Sequence, residues 1–396
     1  MSSSALRNRN FLIYLSGATV SLHGVWVYRV ALGWLAWQLT HSEFWVGVVA
    51  FTQFAPTVIF SPIFGVLADR FDRRAASILI NTLSSINMLV LSMLAFKGSI
   101  DIHVLVVLSL AQGTLDGAYA PLRMSIVPNL VDERQRHSAI ALTSVAHNLS
   151  RFVGPALAGL IIALWGVGAA FAINTVSYFS MVAAMATVRL VSAGRADKVD
   201  QHPWLDLLEG ARYVLTHSTI RSLLLLSVVR CVFGRGSLEM LPAFADSVYA
   251  GGASALAVLT SSIGGGAVLT GIALTRGTGW LTPRLIEYGI AVSGVFIIVL
   301  GIIDRLAFAI PVVGVLGALL CLGGVGSQIL IQTLVDDNVR GRVSSFWGAI
   351  VFGGTSLGAL LIGSAARVWG LQNAVVAAGV LCIAAIFAAH WRRSSA

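Results

Sequence analysis

Leu130-Val131-Asp132-Glu133 returns as Leu334-Val335-Asp336-Asp337. At the same offset of 204 residues, Arg136 matches Arg340, Gly154 and Gly159 match Gly358 and Gly363, and Trp165-Gly166 matches Trp369-Gly370. Spaced glycines, charges and aromatic residues recurring together mark a structural unit used twice. A weaker echo at almost the same offset pairs Gly65-Val66-Leu67-Ala68-Asp69-Arg70 with Gly271-Ile272-Ala273-Leu274-Thr275-Arg276.

What is repeated is apolar. Of the 396 residues, 57% are hydrophobic and 11% charged, against roughly a quarter charged in an average soluble protein. Runs of about twenty apolar residues, long enough to cross a hydrocarbon core of roughly 30 Å, recur along the chain between short polar breaks. Continuous runs mean helices, since barrel strands alternate. The expected spans are 11–39, 44–68, 75–96, 103–127, 139–164, 169–190, 221–246, 253–275, 285–303, 307–333, 343–365 and 371–390. The fold class is therefore an all-α integral membrane protein of twelve transmembrane helices. Its two six-helix halves have the same orientation and are related by a pseudo-two-fold axis along the membrane normal.

Arg7 and Arg9 precede the first apolar run, which is too long for a signal peptide and has no cleavage pattern, so that helix is expected to stay. With a cytoplasmic N-terminus, about 18 Lys and Arg fall in inside segments, and Lys97, Arg305 and Arg367 fall outside. Both termini are then cytoplasmic, in a bacterial inner membrane. The formal charge of +9 is scattered over short loops and reads as topology rather than as a nucleic-acid surface. Cys231, Cys321 and Cys382 lie in separate apolar runs with no metal or disulfide spacing. No metal and no cofactor is expected.

The densest charge lies between spans six and seven, which divides the chain into a half at 1–190, a linker at 191–220 and a half at 221–396. In the linker, Trp204, Leu207, Leu208, Ala211, Val214 and Leu215 recur at helical spacing after Pro203. An amphipathic helix along the cytoplasmic membrane surface is expected.

Gly65-Val66-Leu67-Ala68-Asp69-Arg70-Phe71-Asp72-Arg73-Arg74, between spans two and three, resembles the signature loop of the major facilitator superfamily. Ser21, Gly24, Trp26, Trp34, Leu39-Thr40 and Ser42 in span one, with Leu241-Pro242 and Phe244-Ala245 in span seven, resemble its branch of enterobactin-type siderophore exporters and macrolide efflux proteins. Gly154-Pro155 followed by Gly159 is similar to the motif carried by antiporters of the superfamily. The resemblance implies a monomeric secondary transporter, a small-molecule substrate, protons as coupling ion, and a cavity lined by spans one, four, seven and ten. Two departures stand out. Ser109 occupies the position of a family Arg in span four, and Thr275 stands in the second half where Asp69 stands in the first.

The signature loop also has a physical reading. Asp69 is placed to bond the N-terminal end of a helix of the other half, while Arg70, Arg73 and Arg74 pair with acidic groups, making with Gly65 a conformational latch. A solvated basic turn that fixes topology is the plainer alternative.

Ionisable residues inside the spans are costly and mark function by default. Arg235 and Glu239 are four apart, share a helix face and can neutralise each other, with Arg230 five residues further toward the cytoplasm. Asp116 lies near the middle of span four without an evident partner on its own helix, which makes it a candidate proton carrier. Arg29, Arg230, Arg235, Glu239 and Asp116 are candidates for substrate contact or proton coupling, and His23 is a candidate cavity donor. The plainer alternative makes Arg235 and Glu239 a structural pair and lets Arg29 snorkel to headgroups. His147 and Arg151 share a face of span five and read as packing against polar neighbours. Glycine clusters at 264–266, 323–326 and 353–358 read as close helix contacts, and Trp26, Trp34 and Trp37 as an interface belt, with a substrate-facing role as the alternative.

Export of a siderophore or amphipathic drug by proton antiport with alternating access is the function these features favour. An importer of an anionic metabolite is the alternative. A polytopic membrane enzyme is the rival from another class, and no HExxH, GxSxG or GxxxxGKS pattern supports it.

Overall fold

The computed structural model describes residues 5–68, 72–190, 203–336 and 339–394. It is helical, with no strand among the described residues. Helices α1 (Arg9–Thr40), α2 (Glu43–Ala68), α3 (Arg73–Phe96) and α4 (Ile102–Ile126) are followed by α5 (Arg136–Thr187), which breaks at Gly166 into two spans. After α6 (Pro203–Thr216), span seven is assembled in pieces: α7 (Ser218–Val229), a π-helix (Arg230–Arg235), α8 (Gly236–Leu238), α9 (Leu241–Ala243) and a second π-helix (Phe244–Val248). The chain ends with α10 (Gly252–Thr275), α11 (Pro283–Ile302), α12 (Leu306–Leu334), α13 (Arg340–Trp369) and α14 (Leu371–Ser394). Among the described residues, ten helices are long and apolar enough to cross a membrane. With the bend in α5 and the pieced span seven, the described residues supply about twelve crossings.

Local chemistry sets the boundaries. Asp72 begins α3 by accepting from the backbone N–H groups of Arg74 and Ala75, and Asp101 begins α4 by accepting from those of His103 and Val104. Thr282 caps α11 ahead of Pro283, whose missing N–H costs nothing at the first helical position. Gly166 (φ 77°) and Gly370 (φ 82°) take a conformation that side chains disfavour. They stand 204 residues apart and make the same turn between consecutive spans, so the sequence repeat is also a backbone repeat.

The chain forms two compact units: Met1–Thr40 with Thr52–Ala196, and His41–Phe51 with Asp197–Ala396. In the first, α1 packs along α5, and Gly154 lets the two approach because a Cβ there would collide with the Trp26 side chain. In the second, Gly358 brings α13 onto the backbone of Val232 in span seven. The first turns of α2 cluster with the second unit through Gly47, whose added Cβ would fall 2.6 Å from the Ala359 carbonyl oxygen.

α6 is fastened to the second unit. Glu209 and Arg342 approach to 2.6 Å, and Tyr213 Oη donates to Asp336 Oδ2 at 3.3 Å. Trp34 and Trp37 are each 4% exposed, so these two are core residues and not an interface belt. Of the glycines at 264–266, Gly266 packs against Gly314 of α12, whereas a Cβ on Gly265 would meet open space.

Candidate functional site

In the first unit the apolar bundle encloses one connected polar network. Arg29 Nη2 lies 3.7 Å from Asp116 Oδ2, with the two side chains 15% and 19% exposed. The Arg29 guanidinium also sits 4.9 Å from the ring centre of Trp26 and 5.1 Å from that of Phe54, within cation–π range. Asp116 does have a partner on its own helix, contrary to expectation. Gln112, one turn away, donates from Nε2 to Asp116 Oδ1 at 3.0 Å and lies 2.8 Å from Tyr178 Oη. Tyr178 Oη in turn lies 3.4 Å from Asp116 Oδ1. Behind them, Asn87 Nδ2 donates to Gln112 Oε1 at 3.2 Å, and Ser84 Oγ lies 3.3 Å from Gln112 Nε2.

α4 carries this network because two of its glycines face α2. A Cβ on Gly113 would fall 2.5 Å from the Thr52 carbonyl oxygen, and one on Gly117 would fall 3.1 Å from Thr57 Cα. The close approach turns Gln112 and Asp116 toward α1 and the second arm of α5. Ser109 joins the same helix contact, accepting from Thr52 Oγ1 at 2.9 Å. The position where the family places an Arg is thus a packing hydrogen bond here.

The repeat supplies an internal comparison. At the offset of 204, Gln112 corresponds to Leu316, Asp116 to Leu320 and Tyr178 to Cys382. All three counterparts are buried. The same helices therefore pack without polar groups at these positions, and the network is not a requirement of the architecture.

In the second unit Arg235 Nη2 and Glu239 Oε1 are 3.9 Å apart, as their spacing predicts, and the two side chains are 23% and 25% exposed. The matching contacts of Trp26 with Gly154 and of Val232 with Gly358 set Arg235 in the place of Arg29. With Leu320 in the place of Asp116, the carboxylate is supplied from the same helix instead. Arg230 does not join them. It is 2% exposed, its Nη2 lies 3.1 Å from Cys231 Sγ, and its guanidinium lies against Gly324 of α12. Its Nε has no hydrogen-bond partner. The π-turn beginning at Arg230 carries it inward, since widened turns shift the register of every side chain beyond them.

His23 is half-buried, with Nδ1 2.7 Å from the Thr19 carbonyl oxygen one turn earlier, outside both clusters. Of the latch residues, Asp69 and Arg70 lie outside the described residues, and Gly65 is described only as part of α2. Arg73 is half-buried at the first turn of α3. Arg74 meets carbonyls: Nε donates to Met185 O at 2.8 Å and Nη2 to Ala186 O, at the C-terminal end of α5. A cation is favourable there because the last carbonyls of a helix carry partial negative charge. In the antiporter-like motif, Gly154 and Gly159 are buried and Pro155 is half-buried beside them. A cleft of about 710 Å³ in the first unit, lined by Arg9, Asn10, Gly17, Ser180 and Arg189, lies toward the start of α1, away from Asp116. Among the described residues no three His, Cys, Asp or Glu side chains gather in a way that could hold a metal.

Residues 2–395 match a family model described as transmembrane secretion effector. Among curated proteins, the chain is 23% identical to a staphyloferrin A transporter of Staphylococcus aureus, over 94% of each chain. It is 22% identical to macrolide efflux protein A of Streptococcus pyogenes, over 95% of this chain and 94% of that one. To the enterobactin exporter of Escherichia coli it is also 22% identical, over 82% and 78%. Among solved structures it resembles a bacterial homologue of the human lysosomal transporter Spinster, with a TM-score of 0.76 at 15% identity over 98% and 97% of the two chains. It resembles the nucleoside transporter NupG with a TM-score of 0.70 at 13% identity over 96% and 98%.

Proposed function

Because the chain belongs to the transmembrane secretion effector family of major facilitator transporters, we propose that it exports a small molecule, a siderophore or an amphipathic drug, by proton antiport with alternating access. The setting is a bacterial inner membrane, with both termini cytoplasmic. In this reading two six-helix halves, 1–190 and 221–396, rock about the linker 191–220. Protons and the substrate are the partners, and the transporter works as a monomer.

The observation that carries the reading is the bonding of Asp116 to Arg29, Gln112 and Tyr178 within the first unit, at positions whose repeat counterparts are leucine and cysteine. A proton arriving at Asp116 cancels its attraction for Arg29 and frees the guanidinium. Substrate binding then competes with re-formation of the pair, so proton and substrate exchange in opposite directions. Glu239 with Arg235 is the second such pair. The residues Gly65, Asp69, Arg70, Arg73 and Arg74 serve as the latch between alternating states.

The test is transport in proteoliposomes under an imposed pH gradient, with the substrate class chosen by what a deletion strain retains or becomes sensitive to. Asp116→Asn is expected to abolish gradient-driven transport while leaving exchange of substrate across the membrane, and Glu239→Gln to weaken it. Full gradient-driven transport by both variants overturns the coupling assignment.

A further inference from the structure

The first unit carries a second set of cations that the Arg29–Asp116 pair does not account for. On α4, Gln112, Asp116 and Arg123 follow one another at spacings of four and seven, so they lie along one helix face. Arg123 thus stands two turns, about 10 Å, from Asp116. Arg123 Nη1 lies 3.2 Å from His147 Nδ1 on the first arm of α5. One turn further along that arm, Arg151 shares the face of His147. Three residues beyond Arg151, Gly154 seats the arm on Trp26, whose ring lies under Arg29. The three arginines and His147 are all half-buried.

Along the spans of this unit, Arg29, Arg123 and Arg151 are set against one carboxylate, Asp116. A set of ionisable side chains along such spans is costly. The fold does not demand it, because the repeat counterparts of Arg123, His147 and Arg151 are Ser327, Val351 and Thr355. The helices that carry those counterparts keep the glycine contact at Gly358 and the turn at Gly370. Arg29 also has binding capacity in reserve. At 3.7 Å its bond to Asp116 is looser than the 2.7–2.9 Å of a tight charge-assisted hydrogen bond, and its buried Nε has no hydrogen-bond partner.

We propose that Arg29, Arg151 and Arg123 form a rail for oxyanions along the first unit, taking a flexible small molecule with two or more carboxylates spread over about two helical turns. One carboxylate takes the place of Asp116 on Arg29, and the other sits between Arg123 and Arg151, which flank His147. The rail rests on the transporter reading only in treating the bound molecule as cargo. Planar guanidinium forks suit carboxylates, and a single compact anion is too short to touch both ends.

The test is equilibrium binding to the purified full-length protein in nanodiscs, without any gradient. The probes are suberate, with carboxylates at both ends of a long chain, octanoate, with the same chain and one carboxylate, and succinate, with two carboxylates close together. Suberate is expected to bind about tenfold more tightly than either control, the gain from one added charged hydrogen bond. Arg123→Gln and Arg151→Gln are each expected to remove about tenfold of the suberate affinity and to change octanoate binding by less than about twofold. Arg123→Lys, which keeps the charge and loses the fork, falls between. Equal binding of suberate and octanoate by the wild type, or equal losses for all three probes in well-folded variants, overturns the rail. If Arg123→Gln does not fold, Arg151→Gln decides the matter alone. Loss of the suberate preference alongside intact proton-driven transport removes the rail and leaves the transport reading standing, while the reverse pattern does the opposite.

Discussion

A double-mutant cycle on Arg29 and Asp116 measures how far the network of the first unit works as one piece. At the observed 3.7 Å, two unit charges attract by about 4.5 kcal/mol in a medium of effective dielectric about 20. Both side chains keep some exposure, 15% and 19%, so screening lowers the usable coupling to about 2–3 kcal/mol. Arg29→Gln leaves the Asp116 carboxylate with Gln112 and Tyr178 alone, and Asp116→Asn leaves the Arg29 cation on its two aromatic rings. Each single change should therefore shorten the unfolding half-life in detergent at fixed temperature. The double variant should recover about 30- to 150-fold of the summed loss, since 1.4 kcal/mol is a factor of ten. Half-life suits this protein better than an equilibrium melting point because large membrane proteins unfold irreversibly. Effects that simply add, within about 0.5 kcal/mol, would falsify the pairing.

Gly358→Ala and Gly154→Ala should both destabilise. The new Cβ on Gly358 lands on the backbone of Val232, and the one on Gly154 falls 2.3 Å from Trp26 Cβ, an atom no side-chain rotation moves aside. Costs of about 1–3 kcal/mol are expected, read as shortened half-lives on heating. Gly166→Ala and Gly370→Ala place a side chain at φ 77° and 82°, with open space around both, so each should cost about 1–3 kcal/mol of backbone strain by the same measure. Equal stability of these variants and the wild type contradicts the turn geometry. Arg342→Ala breaks the contact with Glu209 that fastens α6, but Glu209 is 61% exposed, so stability should fall by less than about 1 kcal/mol. Limited proteolysis at α6 should nevertheless quicken, and high salt should produce the same effect in the wild type.

Hydropathy and the repeat made most of the architecture legible. Apolar runs define spans because a lipid environment forces every backbone polar group into a helix. The glycine at each shared turn marks the boundary between spans five and six and between eleven and twelve. The pairing of Arg235 with Glu239 was likewise legible, because a spacing of four on a helix fixes which side chains meet. Even Gln112 had a signal of that kind, one turn before Asp116.

The partners of Asp116 on other helices had none. Arg29, Tyr178 and Asn87 reach the network from α1, the second arm of α5 and α3, at separations that no helical period relates. Their meeting depends on how closely Gly113, Gly117 and Gly154 let those helices approach. Arg230 shows the same limit in the opposite direction: its spacing suggested a place beside Arg235, and the π-turn sent it into the interior. The sequence by itself determined the helices, their repeat and the charges placed within them. Only the tertiary structure decided which charges face one another, because helix crossings and turn widths set those distances, and neither follows from residue spacing along one chain.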